Sequence, residues 1–175
     1  MNDYGLLTPL FFLTPLVHEL QFQARPEDGY LRFHLEYNQH CKASFRMKNI
    51  ADQDILFKVK TTLPSTYFVD PNQDCMKAGQ ELTVNVIMMN EECRKFIENY
   101  KRGSKEAVHK HMFKVEAVPI TPTEYTDLKA LEPANRSATY NRLLGNTEAT
   151  KKSTSKFKVA FTYPAVQGLH RCWVL

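Results

Sequence analysis

A chain of 175 residues with 43% hydrophobic side chains can bury one substantial core and leaves little room for a second. Its formal net charge of +4 makes the surface mildly basic, which suits acidic partners but falls short of a nucleic-acid-binding footprint. No uninterrupted apolar run reaches the roughly 20 residues that a membrane-spanning helix needs, so no transmembrane segment is expected.

The opening stretch is apolar, yet Asp3 stands where a signal peptide carries positive charge, and Pro9 and Pro15 interrupt the run. This argues against secretion. The tetrapeptide LTPL occurs at Leu7–Leu10 and again at Leu13–Leu16, too short a repeat for a solenoid. It reads as an extended segment lying on the body of the protein, the alternative being a partner or membrane-surface contact through Phe11 and Phe12.

From there the dominant period is two. In KASFRMKN, Ala43, Phe45 and Met47 alternate with Ser44, Arg46 and Lys48, as in a strand with one buried face. ILFKVKTT repeats the pattern, with Phe57, Val59 and Thr61 set against Lys58, Lys60 and Thr62. Further blocks are LTVNVIMM, MFKVEAV and SKFKVAF, and turn-forming clusters such as NIADQD, DPNQD and KAGQE separate the earlier ones. Short strands at this spacing predict an all-β sandwich.

Two stretches break the rhythm. Between Asn90 and His111, Cys93, Phe96, Ile97 and Tyr100 fall at helical spacing among charges, which predicts a short amphipathic helix inserted between strands. Between Ile120 and Ser155, Thr121 or Thr123 is placed to cap a helix containing Tyr125, Leu128 and Leu131, and the polar tract NTEATKKSTS reads as a loop. Pro71, with its fixed φ, is expected to shape the link between a strand ending at Asp70 and one beginning near Leu82.

Catalytic chemistry is not legible. His109 and His111 flank Lys110 with no Cys, Asp or Glu at a recognised metal spacing, and read as solvated. No phosphate-cradling glycine motif occurs, and neither a cofactor nor a metal is expected. The cysteines at 41, 75, 93 and 172 form no CxxC pair and read as reduced thiols of a cytosolic protein.

Several blocks carry a family resemblance. From Leu31 to Met88, without gaps, LRF (Leu31–Phe33), Asn49, FKVKTT (Phe57–Thr62), VDPN (Val69–Asn72) and Ala78–Gly79 stand in the order seen in the major sperm protein (MSP) domain. HMFKV (His111–Val115) and SKFKVAF (Ser155–Phe161) continue the match. The chain most resembles the VAP type, receptors of the endoplasmic reticulum for short acidic motifs containing two phenylalanines (FFAT motifs). The resemblance implies an immunoglobulin-like seven-stranded β-sandwich with a short helical insert. An N-terminal extension would span 1–29, the MSP domain 30–165 with inserts near 90–111 and 120–155, and a tail 166–175.

The same resemblance implies a non-enzymatic adaptor that captures FFAT-like motifs in partner proteins, cytoplasmic and recruited to endoplasmic-reticulum contact sites. The peptide-binding residues carried over are Lys58, Lys60, Thr61, Thr62, Asn72, Met112, Lys114 and Lys156. Strand alternation independently puts Lys58, Lys60 and Thr62 on one face, where cations would steer acidic ligands. Three features depart from the VAP pattern: Met112-Phe113-Lys114 reverses its Lys-Phe-Met, Asp70 replaces a basic residue, and neither a coiled coil nor a membrane anchor is expected. The rival expectation is a structural protein that dimerises or self-assembles into filaments, as nematode MSPs do.

Overall fold

The computed structural model describes residues 22–26, 28–37, 39–102, 110–163 and 173–174. The LTPL repeat, Phe11, Phe12, His109 and Cys172 lie outside the described residues.

Two sheets face each other in an immunoglobulin-like sandwich. The first has the order β1 (Phe22–Arg25), β3 (Cys41–Asn49), β7 (Glu81–Met88), β5 (Tyr67–Asp70), all antiparallel. The second has the order β10 (Trp173–Val174), β9 (Ser153–Thr162), β8 (Met112–Ile120), β4 (Asp54–Thr61), β6 (Gln73–Met76), with β2 (Tyr30–His34) lying parallel to β9. β1 falls inside the stretch expected as an N-terminal extension and extends the first sheet by pairing with β3. β6 stands where an irregular link was expected, after a cis Asp70–Pro71 peptide.

The alternation read from the sequence is the alternation of burial. In β3, Phe45 and Met47 point into the core while Lys42, Ser44, Arg46 and Lys48 are exposed. Phe33, Phe57, Phe113, Phe157 and Phe161 fill the space between the sheets, where each buried aromatic ring contributes about 3 kcal/mol relative to exposure. Asn49, fully buried, is structural. Its amide donates to the carbonyls of Gln53 (2.9 Å) and Lys77 (3.0 Å) and its side-chain oxygen accepts from Ala51 N–H (3.2 Å), tying together two turns at one end of the sandwich.

β4 and β8 lose their alternation at one end. Asp54 to Phe57 and Val115 to Val118 are buried without interruption, because a helical layer covers the outer face of the second sheet there. That layer is α2 (Pro122–Ala130) and α3 (Pro133–Asn146). α2 starts in a capping box: Thr121 Oγ1 accepts from Glu124 N–H (3.2 Å) and Glu124 accepts from Thr121 N–H (2.7 Å). Leu128, Tyr140 and Leu144 pack on Leu56, Cys75, Val118 and Ile120 as a second small core. Burial pushes the Cys75 thiol up to about 11, so it remains protonated.

α1 (Asn90–Lys101) buries Cys93, Phe96 and Ile97, three of the four residues whose spacing predicted it, and half-buries the fourth, Tyr100. Two expectations are corrected here. Cys41 and Cys93 are not free thiols but form a disulfide joining β3 to the first turn of α1, across a separation of 52 residues that no short motif reveals. The polar tract expected as a loop becomes a 3-10 turn (Ala149–Lys151) and then the start of β9, because β8 offers a hydrogen-bonding partner for Ser153 onward.

His111 is a third correction: it is buried, not solvated, with Nδ1 2.7 Å from Tyr67 Oη and its ring against Phe96 and Phe161. Burial lowers its pKa from the ordinary 6.5 to about 4, although the Glu92 charge pulls the other way. A depressed folded-state pKa means that the neutral ring favours folding fully above about pH 6.5, and that this contribution disappears as pH falls through 4. Stability is expected to drop by about 3 kcal/mol between these values for this residue alone. Urea denaturation at a series of pH values checks it: His111→Gln should flatten the profile, and an unchanged slope would contradict the assignment.

Candidate functional site

Past the helical layer the outer face of the second sheet turns from apolar to basic. Strand register stacks the candidate residues in rungs: Lys58 opposite Glu116 opposite Thr154, then Lys60 opposite Lys114 opposite Lys156, then Met112 opposite Lys158. Thr62 continues the first column, its N–H donating to the Met112 carbonyl at 3.1 Å. Three lysines thus stand side by side across β4, β8 and β9. Like charges directly opposite each other destabilise a sheet. Glu116, one rung away and 8% exposed, offsets this by pairing with both Lys60 and Lys114. Burial opposes ionisation of Glu116, but hydrogen bonds from Lys114 and Lys60 outweigh it and hold the carboxyl below the usual carboxylate range.

The remaining candidates lie around the edge of β4. Its pairing with β6 ends at Lys58–Gln73, and Val59 N–H donates to the Asn72 carbonyl at 2.7 Å, so Lys60 and Thr61 run past the first residue of β6. Between this stretch and β5 lies an open groove of about 490 Å³ lined by Lys58, Lys60, Thr61, Phe68 and Asn72 among others. Phe68 is 54% exposed, an unusual placement for a phenylalanine, and gives the groove an aromatic wall. Tyr67, its neighbour on β5, points into the core instead.

The eight carried-over residues therefore fall into two adjoining groups. Lys60, Thr62, Met112, Lys114 and Lys156 belong to the outer face, Thr61 and Asn72 to the groove, and Lys58 and Lys60 join the two. Lys58 is held by Asn141 of α3. The Thr62 hydroxyl is already committed, donating to the Lys110 carbonyl (2.6 Å) and accepting from Met112 N–H (3.1 Å), which makes it a fastener for the start of β8. Thr61 Oγ1 accepts from Leu63 N–H at 3.2 Å and shapes the groove floor. Glu116, Phe68 and Lys158 were missed from sequence. The same period of two that exposes Lys114 also points Glu116 outward, and it sets Phe68 opposite in sense to Tyr67.

With this geometry in view, the profile of the MSP (major sperm protein) domain matches residues 22–139. The chain belongs to the MSP domain family. Among curated proteins, this MSP chain is 29% identical over 101 residues to human vesicle-associated membrane protein-associated protein B/C. That alignment covers 58% of this chain and 37% of the relative. It is 28% identical over 101 residues to the human A protein, covering 58% of this chain and 36% of that one. The chain thus matches little more than a third of the length of these relatives. Among solved structures, the Caenorhabditis elegans MSP family member WR4 aligns with 73% of this chain and 91% of its own at a TM-score of 0.43 and 9% identity. Among the described residues no helix is long and apolar enough to cross a membrane, and no cluster of three or more His, Cys, Asp or Glu is placed to hold a metal.

Proposed function

We propose that this MSP domain is an adaptor whose β4–β5 groove and lysine face capture short, extended, acidic segments containing phenylalanine, of the FFAT kind, in partner proteins. The observation that carries this reading is the groove itself, where an exposed aromatic side chain, a strand end running past its neighbour and a row of lysines adjoin. An extended peptide laid along the end of β4 finds backbone groups for register, Phe68 for a ring contact, and Lys60 for a carboxylate. The Met112 and Lys114 order leaves a thioether at the outer rung and the charge one rung nearer the groove. On this reading the protein works in the cytoplasm and reaches endoplasmic-reticulum contact sites through its partners. Cytosolic thiols are ordinarily kept reduced, so the Cys41–Cys93 bond gives that location no support.

A fluorescein-labelled peptide with two adjacent phenylalanines in an acidic tract tests the proposal by anisotropy titration. Micromolar or tighter binding that is lost when both phenylalanines become alanine, by a protein whose solution mass is that of a monomer, supports it. No binding together with concentration-dependent assembly would point instead to a filament-forming structural protein.

A further inference from the structure

The lysine face carries its own counter-charge, and the way that charge is held has a consequence for ligand choice. Glu116 projects from β8 on the outer face, one rung from the lysine row. Its carboxylate is almost closed off (side chain 11% exposed), yet it reaches Lys60 on β4 and Lys114 on its own strand, whose side chains are 47% and 40% exposed. Lys58, on the rung of Glu116 itself, is engaged by Asn141. Of the cations on this face, those nearest the groove are thus already hydrogen-bonded, whereas no ion pair within the described residues engages Lys156 or Lys158 on β9.

We propose that Glu116 is a specificity-determining residue, a built-in competitor that occupies Lys60 and Lys114 until a sufficiently acidic ligand replaces it. The inference rests on the peptide-capture reading above and adds the rule by which the site ranks its ligands. A carboxylate arriving at Lys60 must break a pair that is already made and must approach the Glu116 anion, so a peptide with a single acidic residue beside its phenylalanine gains little. A peptide whose acidic tract crosses β8 to reach Lys156 and Lys158 meets cations that Glu116 does not hold, and gains the full attraction. Neutralising Glu116 removes the competing charge without moving the lysines, because glutamine has the same shape and keeps an oxygen for their hydrogen bonds. The exposed lysine heads remain solvated in its absence, so losing the offset between them costs some stability without unfolding the protein.

The experiment titrates two fluorescein-labelled peptides into the wild type and Glu116→Gln. One has two phenylalanines with flanking Glu and Asp; in the other the acidic residues are glutamine and serine. Melting curves establish that the variant is folded, and Glu116→Thr, a strand-compatible replacement, takes its place if it is not. Glu116→Gln should bind the acidic peptide about fivefold more tightly at low salt, with a gain that shrinks as salt rises, and should bind the neutral peptide as the wild type does. Equal or weaker binding of the acidic peptide by a folded variant overturns the role of Glu116 and leaves the peptide-capture reading standing. A gain of the same size for the neutral peptide overturns it too, since charge competition would not be its cause. If neither protein binds either peptide, the capture reading itself fails and the competitor role falls with it.

Discussion

Replacing Tyr140 by alanine is expected to cost about 3–5 kcal/mol of stability, the range for deleting a large aromatic side chain from a packed site. Tyr140 is fully buried at the centre of the second core, where α3 meets Leu56, Cys75 and Val118 on the outer face of the second sheet. The cavity would loosen the whole helical layer, because Leu128 and Leu144 are the only other fully inserted anchors of α2 and α3 among the described residues. Its hydroxyl matters less: among the described residues it accepts only a long contact from Cys75 Sγ at 3.7 Å. Tyr140→Phe should therefore lose under about 1 kcal/mol. Urea denaturation followed by circular dichroism compares the two. A loss below about 1 kcal/mol for the alanine variant would mean that the helical layer is not docked as described.

Charge reversal at the groove should have the largest effect on binding. In Lys60→Asp with Thr61→Asp, one carboxylate replaces a cation of the outer face and another enters the groove, both opposing an acidic ligand. Affinity for the acidic phenylalanine peptide should fall at least about tenfold. Lys60→Asp also sets a new anion beside Glu116, so retention of the fold is checked by circular dichroism. Lys42→Asp serves as the control, since it reverses an exposed charge on the other sheet and should leave affinity within about twofold. A folded double variant that binds as tightly as the wild type would place the ligand on another surface.

Much of the sandwich was legible because its strands have one wet face. The alternation in KASFRMKN and FKVKTT maps directly onto buried and exposed positions of β3 and β4. Helix α1 was legible from Cys93, Phe96, Ile97 and Tyr100, and the start of α2 from the pair Thr121 and Thr123, of which Thr121 is the cap. Helix α3 was not anticipated. Its only large apolar side chains are Tyr140, Leu143 and Leu144, although Pro133 at its first turn and the spacing of Tyr140 and Leu144 were available signals.

The remaining surprises came from long-range partners. Leu56 and Ile55 are both buried because α2 and α3 arrive from far along the chain, and the burial of His111 depends on Tyr67, Phe96 and Phe161. The Cys41–Cys93 bond likewise joins segments that only the packed sandwich and α1 bring together. At the candidate site, the sequence placed the lysines on one face of β4 and β8. What it did not reveal was that Glu116 holds two of them, or that Phe68 stands beside the end of β4. Both facts depend on cross-strand register and on how the edges of the two sheets meet.

The most direct test of the central claim is an amide chemical-shift titration of 15N-labelled protein with the acidic phenylalanine peptide. The account predicts progressive, saturable shifts concentrated at Lys60, Thr61, Phe68, Asn72 and Lys114, with Lys42, Ser44, Arg46 and Lys48 on β3 unmoved. Saturable shifts confined to β1 and β3, or no shifts at millimolar peptide, would contradict it.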